Sequence, residues 1–176
     1  MTPEGKYELT DVEFKEMSED DAVRVFAEDG YFKYAKRTQR YSKLPSDGIF
    51  ATSPSTHFVL FEKTTGKPLG VVGYSKYKNI LLGAGIHTRK DMEGKGIASL
   101  LANKLMQEKG SKLMVVSFAK EQAKNMYMRR GFKEVDLSKL PPEVVEEIQI
   151  AEADGNETLS KMLMLIDNWW GVLRGY

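Results

Sequence analysis

Ile86-His87-Thr88-Arg89-Lys90-Asp91-Met92-Glu93-Gly94-Lys95-Gly96-Ile97-Ala98 is the stretch on which the reading of this 176-residue chain turns. It joins the end of an apolar run, Ile80-Leu81-Leu82-Gly83-Ala84-Gly85-Ile86, to a segment where Ile97, Leu100, Leu101 and Leu105 recur at helical spacing before Gly110. The run, within Asn79–Thr88, is apolar on both faces, as a strand in the middle of a sheet should be. Its glycines fit a bulge or a place where another chain or ligand approaches the backbone. A glycine-bearing loop between strand and helix makes an anion site. The first helical N–H groups lack intrahelical acceptors, the helix dipole is positive there, and glycine removes the Cβ that would hold a phosphate off. The same residues also suit a plain helix-capping turn, and the spacing is not that of a P-loop.

About thirty residues later comes Ala123-Lys124-Asn125-Met126-Tyr127-Met128-Arg129-Arg130-Gly131-Phe132. Together the two clusters resemble the GNAT superfamily of N-acetyltransferases. The first is similar to its acetyl-CoA loop: an arginine or glutamine, two residues, glycine, any residue, then glycine or alanine. Two registers fit, Asp91 with Gly94 and Gly96, or Glu93 with Gly96 and Ala98, and the first is preferred. The second cluster matches, without a gap, the family's alanine, three residues, tyrosine, three residues, glycine-phenylalanine signature. The resemblance covers about residues 79–135 well, and the flanks through element order.

The resemblance implies an α/β (α+β) fold: a mixed, mostly antiparallel twisted sheet of about 6–7 strands, with helices on both faces and a splayed parallel pair. It implies that acetyl-CoA is the cosubstrate, with pantetheine along Ile86, His87 and Thr88 and pyrophosphate on the N–H groups of Gly94, Lys95, Gly96, Ile97, Ala98 and Ser99. A backbone N–H near Ile86 is expected to polarise the thioester, and Tyr127 to protonate the departing thiolate. Tyr127 read alone would be an aromatic packed under the sheet. Three positions depart from the family pattern: Glu93 where an arginine is common, Lys120 where an asparagine is, and Asn79–Thr88 without a glutamate to act as base. Arg89, Lys90 and Lys95 are near enough in sequence to offset Glu93. For the base, His87, Glu62 and water remain open; His87 is beside the expected thioester, although a strand histidine is more often a packed one.

Outward from these clusters, the chain reads as a strand near Leu9–Met17, a helix capped by Ser18 and Asp21 and stopped at Gly30, and a second helix from Tyr31 to about Tyr41. Lys43–Thr56 reads as a long loop. Strands His57–Lys63 and Leu69–Tyr77 flank the turn Thr64-Thr65-Gly66-Lys67-Pro68 as a hairpin. The glycine loop opens a helix that runs to Lys109; strand Leu113–Phe118, helix Ala119–Arg130, strand Phe132–Val135, acidic helix Pro141–Ala153 and strand Leu159–Ile166 complete the order. The expected organisation is a single domain, 1–176, with an acceptor side at 1–56, an acetyl-CoA core at 79–135 and an acidic helical insert at 136–157.

Composition narrows the chemistry. There are 0 Cys and 2 His, His57 and His87, so no thiolate nucleophile, zinc–cysteine site, iron–sulfur cluster or three-histidine metal cage is available, and no metal is expected. Transfer is therefore expected to pass directly to the acceptor. The formal net charge of +1 conceals blocks of opposite sign. Residues 31–43 carry five bases and no acid, and 133–157 carry eight acids against two bases. No apolar run approaches the ~20 residues of a membrane span, and the start of the chain has no signal-peptide core, so a soluble cytoplasmic protein is expected.

The acceptor is expected to be a primary amine, on a small molecule, a peptide or an aminoacyl-nucleic acid. Tyr31, Tyr34 and Arg37, in the basic aromatic segment, are the candidate acceptor-binding residues; the other reading of that segment is a solvated helix face. The acidic stretch Glu143–Asp154 is open to a cationic acceptor or a homodimer contact, as Trp169-Trp170 is to the latter. Two other functions are compatible with the residues: a GNAT-fold CoA-binding or structural protein without turnover, and a nucleic-acid-binding module through residues 31–43.

Overall fold

The computed structural model describes residues 1–27, 45–78, 80–107, 113–119, 125, 128–129, 137–153 and 160–166. Among them, six strands share one sheet in chain order: β1 (Val12–Met17), β2 (Ser55–Glu62), β3 (Pro68–Tyr77), β4 (Ile80–Thr88), β5 (Leu113–Ala119) and β6 (Ser160–Ile166). The described helices are α1 (Glu19–Val25), α2 (Ile49–Thr52), α3 (Ile97–Gln107) and α4 (Pro142–Ala153). None is long and apolar enough to cross a membrane. The chain divides into two compact units. One holds Met1–Lys36, Ser55–Tyr74 and Gly85–Glu108; the other holds Arg37–Pro54, Ser75–Ala84 and Lys109–Tyr176.

In the first unit β1 runs antiparallel to β2, from Val12 opposite Glu62 to Met17 opposite His57. The strand starts later than Leu9 because Leu9–Asp11 forms a 3-10 turn. The Glu8 N–H donates to the Asp11 carboxylate at 2.9 Å, and the Asp11 N–H donates to the Glu8 carbonyl at 3.1 Å. Ser18 caps α1 as its spacing predicts, accepting the Asp21 N–H at 3.1 Å and donating to the Asp21 carboxylate at 2.9 Å. The helix ends at Val25, short of the expected Gly30, which lies outside the described residues. Phe26 caps it and is drawn into the core with Ala22, Val23, Val59 and Val71.

α3 covers the opposite face of β3. Successive strand residues point to opposite sides; Val71 faces α1, and a Cβ at Gly70 would come within 2.8 Å of Leu101 Cδ1 and 2.9 Å of Ile97 Cγ2 on α3. Ile97, Leu101, Ala102, Leu105 and Met106 are the buried stripe that the helical spacing announces.

One expectation needs correcting around the start of β2. Lys43–Thr56 is not loop throughout: α2 occupies Ile49–Thr52 and β2 already begins at Ser55. The cap of α2 comes from α4, where the buried Glu147 carboxylate accepts the Ile49 N–H at 2.5 Å and the Phe50 N–H at 2.9 Å. Residues 98 and 97 positions apart make those bonds, so nothing local in the sequence signals the helix. α4 forms where the acidic helix Pro141–Ala153 is expected, and it contributes to a core. Val144 and Ile148, at helical i, i+4 spacing, are buried with Phe50, Leu140, Ile80 and Leu82. Glu143 accepts from the Tyr77 hydroxyl at 2.7 Å and from Lys78 at 3.0 Å, so two of the acids, Glu143 and Glu147, have partners within the second unit.

β4 and β5 run parallel through only three paired positions, Ile80 with Met114 to Leu82 with Val116. β5 and β6 pair antiparallel along their full lengths, from Leu113 with Ile166 to Ala119 with Ser160. That second ladder makes Ala119 the last residue of a strand, not the first of a helix. Residues 125 and 128–129 are helical, as expected for Ala119–Arg130. The remainder of that helix, the expected helix from Tyr31 to Tyr41 and the strand Phe132–Val135 lie outside the described residues.

The close seat of α3 on β3 is testable. A methyl group at Gly70 would also meet the His87 carbonyl at 2.7 Å, which is backbone and cannot rotate aside. Gly70→Ala is expected to lower stability by about 1–3 kcal/mol, measured as a reduced urea midpoint with unchanged m. An unchanged midpoint would mean that α3 does not rest on that backbone.

Candidate active site

β4 ends in Ile86, His87 and Thr88, all half-buried. The strand is held on its β3 side, where the Arg89 N–H donates to the Leu69 carbonyl at 3.0 Å. On its other side Gly83–Thr88 lie beyond the three-residue parallel ladder, so that this edge takes no part in pairing with β5 among the described residues. The Thr88 Oγ1 is buried and has no hydrogen-bond partner among the described residues.

A 3-10 turn at Lys90–Met92 follows, anchored by buried Met92. The Lys95 N–H returns to the Met92 carbonyl at 3.3 Å, and the chain then passes through Gly94 and Gly96 with φ of +77° and +82°. Residues with a Cβ pay about 1–2 kcal/mol in that left-handed region. Nothing lies within 4 Å of a Cβ built at Gly94, so backbone conformation, not space, demands glycine there. The Ser99 and Leu100 N–H groups turn to the Gly96 carbonyl at 3.1 and 3.2 Å and start α3. The donors ahead of them have no acceptor within the helix, and an eleven-residue dipole reinforces them. Ile97 has its side chain in the core, so only its backbone is available to a ligand.

The charges around the loop are arranged differently from their sequence order. Asp91 accepts from Lys67 Nζ at 2.7 Å and from Arg89 Nε at 3.0 Å, and these contacts, Lys67 first, hold its carboxyl down to about 2. Arg89 is thus engaged by Asp91, and Glu93 is exposed. Lys67 comes from the turn between β2 and β3, twenty-four positions away in sequence, and had no local signal.

His87 is fixed by an edge-on ring contact with Phe26, the centroids 5.6 Å apart and the planes at 77°. Glu62, the other side chain open as a base, accepts hydrogen bonds from the Thr65 hydroxyl and, at 2.7 Å, from the Tyr7 hydroxyl. Both donors favour its charged form and hold its pKa below the ordinary carboxylate value, which makes it a poor proton acceptor. Tyr127, Lys120, Tyr31, Tyr34 and Arg37 lie outside the described residues. Among those described, no group of three or more His, Asp or Glu residues is placed to hold a metal ion.

Residues 53–134 match the family model of the acetyltransferase (GNAT) domain. Among solved structures, N-acetylglutamate synthase from Neisseria gonorrhoeae, complexed with coenzyme A and N-acetyl-glutamate, is similar with a TM-score of 0.58 at 12% identity. The match covers 88% of this chain and 34% of the synthase, about a third of its length. A Mycobacterium tuberculosis protein in complex with CoA is similar with a TM-score of 0.53 at 17% identity, over 88% of this chain and 98% of that one. Identities this low carry the fold alone. No curated protein matches the chain.

The Asp91 contacts predict a pH dependence with a definite sign. A carboxyl held down to about 2, against an ordinary 3.8, adds stability that is fully present above the ordinary value and is lost as pH falls toward 2. The stability difference between wild type and Asp91→Asn is expected to shrink between about pH 4 and pH 2, followed by urea unfolding at each pH. A difference independent of pH across that window would contradict the ion pairing.

Proposed function

We propose that the protein, whose residues 53–134 match the acetyltransferase (GNAT) domain, transfers an acetyl group from acetyl-CoA directly to a primary amine. The observation that carries the reading is the left-handed pair Gly94 and Gly96, placed between the end of β4 and the start of α3. The residues fit the ligand: unencumbered space at Gly94, helix-start donors and the orphaned Thr88 hydroxyl oxygen suit an elongated polyphosphate ester with amide groups. Acetyl-CoA supplies the acetyl group as a thioester and departs as a thiol. In this reading 1–176 act as one catalytic domain.

Each residue then has a task. The N–H groups of Gly94, Gly96, Ile97 and Ala98 neutralise phosphate charge, those of Lys95 and Ser99 being turned to the Met92 and Gly96 carbonyls within the loop, and the unpaired edge of β4 at Ile86, His87 and Thr88 offers backbone partners to amides. The Ile86 N–H is the donor for the carbonyl oxygen that gains charge during transfer; one fixed donor of this kind typically contributes about 2.7–4 kcal/mol. Tyr127 donates the proton that the leaving sulfur needs. His87, on the same strand, accepts the proton lost by the attacking amine, and its edge-on seat against Phe26 restricts ring rotation. With 0 Cys the chain has no thiol to carry the acetyl group, which favours a ternary complex over an acyl-cysteine route. Tyr31, Tyr34 and Arg37 bring aromatic and positive character to the acceptor side and suit an amine whose molecule also bears negative charge.

Exposed Glu93, beside the loop, favours a second reading, a CoA-binding protein without turnover. One set of measurements separates the two. Acetyl-CoA is expected to raise the Tm of wild type and Tyr127→Phe alike, while the substitution lowers kcat by about 10²-fold or more in thiol release with a panel of amines. Stabilisation with thiol release at background in the wild type would select the second reading. No stabilisation by any acyl-CoA would end both.

A further inference from the structure

The segment before β1 does more than lead into the sheet. Thr2–Tyr7 is a closed turn: the Thr2 N–H donates to the Lys6 carbonyl at 2.8 Å, the Gly5 N–H to the Thr2 carbonyl at 2.9 Å, and the Lys6 N–H to Thr2 Oγ1 at 3.1 Å. Gly5 has φ of +75°, which lets the turn close. Immediately after it, Tyr7 is held at two points. Its N–H donates to the Lys95 carbonyl at 3.0 Å, and its hydroxyl donates to Glu62 Oε1 at 2.7 Å. The segment also reaches Gly96, where an added Cβ would lie 3.8 Å from both Lys6 Cβ and the Tyr7 carbonyl oxygen.

Lys95 stands between the two left-handed glycines, so its carbonyl is the handle on the loop's most adjustable peptide. In a trans peptide the carbonyl of one residue and the N–H of the next point in opposite directions. Tying the Lys95 carbonyl to Tyr7 therefore turns the Gly96 N–H away from the N-terminal segment and toward the open side of the loop. Gly96 itself has almost no preference among backbone conformations, so without that tie the peptide could flip at little cost. We propose that Tyr7, anchored by Glu62, is a positioning residue that holds the Gly96 N–H in its ligand-facing orientation. The inference rests on the acetyl-CoA reading for what the N–H is presented to, but the orientation itself exists in the free protein.

The arrangement also gives Glu62 a role. Its carboxylate is the fixed acceptor, with the Thr65 hydroxyl on its other oxygen, and stays charged because both hydroxyls lower its pKa. Tyr7 in turn is pushed up to about 12, chiefly by its bond to Glu62, and keeps its proton across the pH range in which enzymes work. The other charges near the pair are Asp11 and Asp91 toward Tyr7 and Lys67 and Lys95 toward Glu62.

Amide hydrogen exchange at residue 7, whose N–H makes the tie, tests it without any ligand, and KM for acetyl-CoA tests its consequence. Tyr7→Phe and, separately, Glu62→Ala are expected to speed exchange of the residue 7 amide in the free protein and to raise KM about threefold to tenfold with kcat unchanged. Glu62→Gln, which keeps an acceptor oxygen, is expected to leave both near their wild-type values. A residue 7 exchange rate and a KM that stay at wild-type values in both severing variants would overturn the proposal, as would equal loss with Glu62→Gln and Glu62→Ala. If the wild type binds no acyl-CoA, the acetyl-CoA reading fails, and exchange at residue 7 still decides whether Tyr7 and Glu62 hold the loop.

Discussion

Gly70 is the point at which the site is assembled. With no side chain at that position, the His87 backbone of β4 and the Ile97 and Leu101 side chains of α3 converge on β3 at distances a Cβ would not permit. The strand end and the helix start are thereby fixed against one backbone, and the eight residues between Thr88 and Ile97 must join two anchored points. Such a short, tightly turned connection uses the positive φ of Gly94 and Gly96. The donors that a ligand would meet follow from this packing.

A second layer of restraint comes from elsewhere in the first unit. Lys67, in the hairpin between β2 and β3, holds Asp91 together with Arg89, and Tyr7 holds the Lys95 carbonyl. The ion pairs are exposed, and their contribution to global stability is small. Their effect is positional, because each one ties a loop residue to a hairpin or a terminal segment. The acidic residues in the loop thus have different situations: Asp91 is neutralised within the protein, whereas Glu93 faces solvent.

Much of this was legible in the sequence because it is local. The apolar run of β4, the i, i+4 stripe of α3 and the Ser18–Asp21 cap depend on residues within a few positions of one another, and they form where their spacing places them. So does the hairpin of β2 and β3. What the sequence did not reveal depends on residues far apart in the chain. α2 is a four-residue helix capped by Glu147, β5 extends to Ala119 through its ladder with β6, and Tyr7 and Lys67 reach the loop from 88 and 24 positions away. A stretch such as Lys43–Thr56 contains proline and glycine and reads as loop by every local rule; a carboxylate from α4 makes part of it helical. The hydroxyl partners of the candidate base Glu62, Tyr7 and Thr65, likewise become evident only in the folded chain.

The claim at the centre of this account is that the backbone from Gly94 to Ser99, beside the end of β4, is the surface that receives acetyl-CoA. Backbone amide chemical shifts during titration with acetyl-CoA test it most directly. The account predicts saturable shifts largest at Gly94, Gly96, Ile97, Ala98 and Ser99, with accompanying shifts at Ile86, His87 and Thr88. Saturable binding whose shifts fall elsewhere, leaving those amides unmoved, would contradict it.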